Sequence, residues 1–235
     1  MSKENPDIMK KIAVLLSGCG VYDGSEIQES VFTLLHIQLN GGQYQCFAPN
    51  MTQHHVLDHT TGNEMNESRN TLVEAARIAR GDIKDLAALN MQDYDGLAIP
   101  GGFGAAKNLT KWAFSGPAGD IHPEVKRVIL SALELKKGIL ALCMGPTVIA
   151  KALENTGTHA LLTVGTDNEK SPYEIKAISD GMISIGAKAE MKSIREIAVD
   201  ENLKIVTAPC YMMEASISEV NNNIAQATKA WFALM

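Results

Sequence analysis

The sequence predicts an α/β fold, a doubly wound and mostly parallel sheet covered by helices on both faces. Three observations carry that prediction. Short apolar runs alternate with stretches of helical periodicity, the pattern of repeated βα units. Four of the runs end at Gly-, Pro- or Cys-marked turns: Gly18 to Gly20, Gly101-Gly102, Cys143 and Pro209. The 235 residues show no internal repeat and no linker. One domain over residues 10–235 is expected, preceded by a polar, flexible tail over residues 1–9.

Each element has its own signal. Lys11 to Leu16 reads as a strand running into Ser17-Gly18-Cys19-Gly20. From about Gly24 to Asn40, Ile27, Val31, Leu34, Leu35 and Leu39 recur at helical spacing, and Gly41-Gly42 stops that helix. Tyr44 to Ala48 is a second strand, with Cys46 and Tyr44 on one face. Residues 49–66 lack a sustained period and read as a loop or short hairpin. Glu67 to Arg80 is a helix with Leu72, Ala75, Ala76 and Ala79 toward the core. Gly96 to Ile99 is a strand ending in Pro100-Gly101-Gly102, and His122 to Lys137 is a helix. Gly138 to Leu142 is a buried strand, because its apolar residues follow one another without alternation. A short helix over Thr147 to Leu153 and a strand over Leu161 to Val164 come next. Ile197 to Val199 and Leu203 to Ala208 are strands joined at Asp200-Glu201-Asn202, and Met213 to Leu234 is the last helix.

Composition excludes several classes. The net charge is −6 and no basic cluster occurs, so nucleic-acid binding is not expected. No apolar run is long enough to span a bilayer, so no membrane partner is expected. The first residues lack the order of a signal peptide, and a reducing cytoplasm is the expected compartment. The four cysteines, Cys19, Cys46, Cys143 and Cys210, are scattered without a Cys-x-x-Cys, which argues against a zinc knuckle or a disulfide framework.

Cys143 carries the chemistry. It falls between a buried strand and Met144-Gly145-Pro146, and Pro146 suits the first turn of a helix. A sharp strand-to-helix turn lifts the side chain and aims backbone N–H groups at it. A thiol there is expected to be acidic and reactive. The plain alternative is a buried cysteine acting as a small hydrophobe. Pro100-Gly101-Gly102-Phe103-Gly104 also comes after a strand, and its glycines let backbone amides approach a ligand. The Gly102 and Met144 amides are the expected oxyanion donors. Gly24-Ser25-Glu26-Ile27-Gln28-Glu29 opens the first helix. Acidic residues suit a helix N-terminus, which accounts for one glutamate. The other, in an apolar cleft beside the sulfur, would stay protonated and exchange protons with a substrate.

These three segments, with Asn108, resemble the ThiJ/PfpI superfamily, which has the flavodoxin-like, class I glutamine amidotransferase-like fold. Leu16 to Gly24, Gly102-Phe103-Gly104-Ala105-Ala106-Lys107-Asn108-Leu109 and Gly165-Thr166-Asp167 resemble more narrowly its ElbB branch, the sigma cross-reacting or lycopene-enhancing proteins. The resemblance runs from about Lys11 onward. It implies Cys143 as nucleophile, Glu29 as its protonated partner, and Glu26 as a carboxylate of structural use. It implies oxyanion amides at Gly102 and Met144, with no cofactor and no metal. It implies a glutathione-independent glyoxalase that converts glyoxal or methylglyoxal to hydroxy acids through a cysteine hemithioacetal. It also makes a homodimer the expected assembly. The alternatives are a redox-sensing or regulatory cysteine protein linked to isoprenoid metabolism, and a cysteine hydrolase or deglycase.

One departure bears on the hydrolase. Met144 comes directly after the cysteine, and Leu161 to Thr166 holds no histidine, whereas a Cys–His mechanism needs one. His159 is expected at the wrong end of its strand. His55 and His59 have i,i+4 spacing without further ligands, so they read as loop residues, with His59 a weaker candidate at the cleft. Gly101, Phe103, Cys19, Pro209 and Tyr211 are expected to line the site with Glu26 and Asn108. Cys19 is also read as a resolving thiol or as a small turn residue.

Overall fold

The computed structural model describes residues 9–235, so most of the expected tail lies outside the described residues. Chain order is β1 (Lys10–Leu15), α1 (Ile27–Leu39), β2 (Gly42–Ala48), α2 (Thr71–Ile78), β3 (Ile83–Asp85), β4 (Gly96–Ile99) and α3 (Trp112–Ser115). Then come α4 (Pro123–Glu134), β5 (Gly138–Leu142), α5 (Gly145–Leu153), β6 (Leu161–Leu162), α6 (Ile175–Ser184) and β7 (Lys188–Ala189). β8 (Ala198–Asp200), β9 (Ile205–Ala208) and α7 (Ile217–Leu234) complete the chain.

Seven strands form one sheet in the order β3-β2-β1-β4-β5-β9-β8. All pairs are parallel except β8 with β9. From β1 the chain winds outward in one direction through β2 and β3. It then winds in the other direction through β4, β5 and β9. Right-handed crossovers therefore put α1 and α4 on opposite faces. The order reverses between β1 and β4, and the crevice beyond their carboxyl ends is where such sheets bind ligands. β4 and β5 are buried throughout, which explains their unbroken apolar runs.

The structure differs from the sequence reading in five respects. The helix expected from Glu67 starts at Thr71, because Asn70 caps it by accepting from the Val73 amide at 3.1 Å. The helix expected from Met213 starts at Ile217, where Ser216 and Glu219 form a capping box. The Leu161 strand is shorter than expected and pairs with β7 in a separate two-stranded sheet. β3, α3, α6 and β7 have no counterpart in the sequence reading.

The fifth difference concerns α1. Its spacing ordinarily marks a core-facing stripe. Yet Ile27, Val31, Leu35 and Leu39 are exposed, at 47%, 45%, 44% and 68%. The buried side carries Glu29, Ser30, Thr33, Leu34 and Ile37. Ser30 and Thr33 satisfy themselves by donating to the Glu26 and Glu29 carbonyls at 2.6 and 2.7 Å. The helix is turned so that a carboxyl group, rather than the apolar stripe, faces inward.

Candidate active site

The site is assembled from three turns, and those after β1 and β4 share backbone hydrogen bonds. The Glu26 amide donates to the Gly101 carbonyl at 3.0 Å, Phe103 to Val21 at 2.7 Å, and Gly104 to Gly24 at 2.8 Å. Glycine is required here by close approach. A Cβ on Gly101 would stand 2.3 Å from the Cys143 Cβ and 2.4 Å from Glu29 Oε2. A Cβ on Gly102, whose φ is +98°, would stand 2.3 Å from the Glu26 nitrogen.

Cys143 occupies the turn between β5 and α5 with φ +56°. That left-handed conformation is strained for a residue with a Cβ and is the geometry of a nucleophile elbow. Its amide donates to Ala208 O at 2.9 Å, which ties the elbow to β9. The residue is 5% exposed. Burial pushes the thiol well above its ordinary pKa, and negative charge on Glu29 adds to the rise. The Gly102 and Met144 amides act in the opposite direction on the same sulfur. The acidic, solvent-facing thiol expected from the sequence is thus corrected: desolvation outweighs the backbone donors in the resting site.

Glu29 is fully buried. Burial, then the Glu26 charge, raises its carboxyl to about 8, and the Tyr211 amide and Cys143 thiol hold it back. The Tyr211 amide donates to Oε1 at 3.1 Å, whereas Oε2 is buried without a regular hydrogen bond. The Gly101 geometry puts that orphan oxygen and the Cys143 sulfur on one side of a single glycine. Glu26 caps α1, accepting from the Glu29 amide at 2.6 Å, the structural use expected of it.

A cleft of about 370 Å³ lies beside this pair; Cys143 and Glu29 do not line it, but its wall residue Tyr211 donates its amide to Glu29. Tyr22, Tyr173 and Tyr211 wall it, with Glu26, Gln28 and Glu214 among its polar groups. Burial, then the charges of Cys143 and Glu29, pushes the Tyr173 phenol up to about 12, so that ring borders the reactive pair. The sequence gives no signal for Tyr173, which lies in an irregular stretch before α6.

Other expected lining residues stand elsewhere. Asn108 is 2% exposed and staples the loops from behind. Its side chain donates to Ser17 O and Asp23 O and accepts from the His54 amide at 3.0 Å. Phe103 borders a neighbouring hollow with Tyr22, Leu57 and Lys107. Pro209 is buried at the start of the turn after β9 rather than in the cleft wall. Cys19 is corrected as well: its surroundings are Glu74, Arg77 and Asp23, and burial raises its pKa. His59 stacks on Tyr22 at 4.9 Å and accepts from the Tyr22 amide, whereas His55 packs against Phe114, so the two do not converge. His159 is exposed and bonded to Gly186 O. No described histidine lines the cleft.

Comparison with known proteins bears on the fold and the family. No family model matches the chain. A human protein named glutamine amidotransferase-like class 1 domain-containing protein 3, mitochondrial, is 41% identical over 91% of this chain and 79% of its own length. The chain belongs to the glutamine amidotransferase-like class 1 domain family. An isoprenoid biosynthesis protein with an amidotransferase-like domain from Ehrlichia chaffeensis superposes with a TM-score of 0.86 at 31% identity, covering 96% of this chain and 99% of that one. Glyoxalase III from Candida albicans shares the fold, with a TM-score of 0.60 at 15% identity over 94% of this chain and 97% of that one.

Proposed function

We propose that the protein is a glutathione-independent glyoxalase acting on small dicarbonyls. The observation that supports this reading is the convergence of the Cys143 sulfur, the orphan Glu29 Oε2 and two backbone amides, with a cleft next to them. The working form is the pair carrying one proton, written as thiolate and carboxylic acid. The sulfur adds to the aldehyde carbon while Glu29 gives its proton to the carbonyl oxygen, leaving a hemithioacetal and a carboxylate. The Gly102 and Met144 amides turn from sulfur to that oxygen as charge develops. The carboxylate removes the C–H proton to form an enediolate and returns it to the neighbouring carbon, while the proton on the first hydroxyl passes to the second oxygen. The resulting thioester takes up water and releases the hydroxy acid and the thiol.

This sequence of steps uses one proton carrier and no histidine, which suits the cleft. A Cys–His hydrolase lacks its base here, and a peroxide sensor is opposed by the near-complete burial of the sulfur. The test is conversion of glyoxal to glycolate, measured by chromatography. Cys143→Ser should abolish it; full activity in that variant would eliminate the mechanism. For the exposed stripe of α1 the partner we propose is a second copy of the chain, tested by the sedimentation mass of Leu35→Glu. The compartment we propose is a reducing one, cytoplasmic or mitochondrial: all four cysteines are free, and the human relative is named as mitochondrial. No helix among the described residues is long and apolar enough to cross a membrane.

A further inference from the structure

The cleft is larger than a two-carbon dicarbonyl requires. Its 370 Å³ amounts to roughly a dozen water volumes. The lining therefore constrains the rest of the substrate. Three aromatic rings, Tyr22, Tyr173 and Tyr211, stand around it. Tyr211 is fixed at both ends, its amide on Glu29 and its hydroxyl on Gln28 Oε1. Tyr22 is held by stacking on His59, and Tyr173 by an edge contact with Phe103. Two carboxyl groups, Glu26 and Glu214, lie among the lining residues, and no described lysine, arginine or histidine does. Glu26 is engaged by the amides that open α1, whereas Glu214 is exposed at the rim and has no ion-pair partner among the described residues.

Phenol faces and an unpaired carboxylate attract the same chemistry. The ring quadrupole favours a cation above its face, and the rim carboxylate favours a positive charge further out. An anion meets the opposite conditions, with no donor of positive charge to offset the loss of its water.

Resting on the glyoxalase reading, we propose that the preferred substrate is an α-oxoaldehyde whose far end carries a positive charge, an ammonium or guanidinium group. Its aldehyde reaches Cys143 while its cationic tail lies between the tyrosines and Glu214. Phosphorylated and carboxylated aldehydes are excluded.

Turnover and binding test this separately. Phenylglyoxals bearing a para-trimethylammonium, a para-methyl or a para-carboxylate group are compared by kcat/KM. The cationic compound should exceed the neutral one by about tenfold, and the anionic one should trail both. Glu214→Gln should narrow the ratio of cationic to anionic substrate. Equal rates for all three would overturn the assignment and leave the glyoxalase reading standing. If none turns over, binding to Cys143→Ser decides. Saturable chemical-shift changes with phenyltrimethylammonium, much weaker with benzyl alcohol and absent with benzoate, support the cation-selective cleft even if the chemistry is wrong. Indifference to charge in that variant would sink it.

Discussion

Two neighbouring turns of the sheet each present a cysteine in the same strained backbone. Cys143 succeeds β5 with φ +56°, and Cys210 succeeds the adjacent β9 with φ +50°. Both are buried, and burial raises both thiols well above their ordinary pKa. The element on the far side of each turn separates them. Cys143 opens into α5, nine residues long, and the Gly102 and Met144 amides act on its sulfur. Cys210 opens only a three-residue 3-10 turn; its sulfur has one backbone donor, the Cys143 amide, and feels Glu29 only as a charge, whereas Cys143 shares a hydrogen bond with Glu29. On the proposed mechanism, strained φ at a strand end is therefore insufficient for a nucleophile: a proton carrier hydrogen-bonded to the sulfur is also needed.

That contrast is open to direct attack. The largest effect is expected from the pair of serine variants: Cys143→Ser loses all glyoxal turnover, while Cys210→Ser retains it. Loss of activity in both, with circular dichroism unchanged, would show that the β9 turn also takes part. Gly101→Ala should come next, because its methyl group strikes the Cys143 Cβ and Glu29 Oε2 together. Turnover should fall by at least ~10²-fold with a stability loss of ~1–3 kcal/mol in urea unfolding. Glu29→Gln should lower kcat by ~10²–10⁴-fold, measured with glyoxal in excess. The same variant should shift alkylation of Cys143 by iodoacetamide to lower pH, since a negative charge that opposes the thiolate is gone.

A smaller effect is expected from pH. The Glu29 carboxyl titrates near 4.5 when unfolded and at about 8 in the fold. Between those values the folded state holds a proton that the unfolded state has lost. Stability is therefore full below about 4.5 and declines as pH rises toward about 8, by on the order of 4 kcal/mol. Turnover runs the other way, rising toward pH 8 as the pair loses one proton. Urea unfolding across that range checks the first, and Glu29→Gln should flatten it. A wild-type stability that climbs from pH 5 to 8 would contradict the buried neutral carboxyl.

Much of this is legible in the chain. The strand runs, the glycine turn at Gly101-Gly102 and the cysteine elbow are local features, each set by residues within a few positions of one another. Local chemistry dictates them: an apolar run must be buried, Pro146 must sit in a first helical turn, and a crowded crossing admits only glycine. β3 and β7 are not legible, because three or two residues are too few to show a period.

The orientation of α1 lies outside that reach. Apolar spacing alone would turn Ile27, Val31 and Leu35 inward. Glu29 and Val31 lie about 200° apart around a helix, so only one of them can face the sheet. Packing on α7 and the Gly101 loop chose the glutamate, and the hydrophobic stripe went outside. The same holds for the sulfur: residue order marks Cys143 as a turn cysteine, but its depth and the neutrality of its partner come from contacts between segments more than a hundred positions apart. Sequence sets what each short stretch prefers; burial and charge are properties of the assembled neighbourhood, because desolvation depends on every atom that closes around the group.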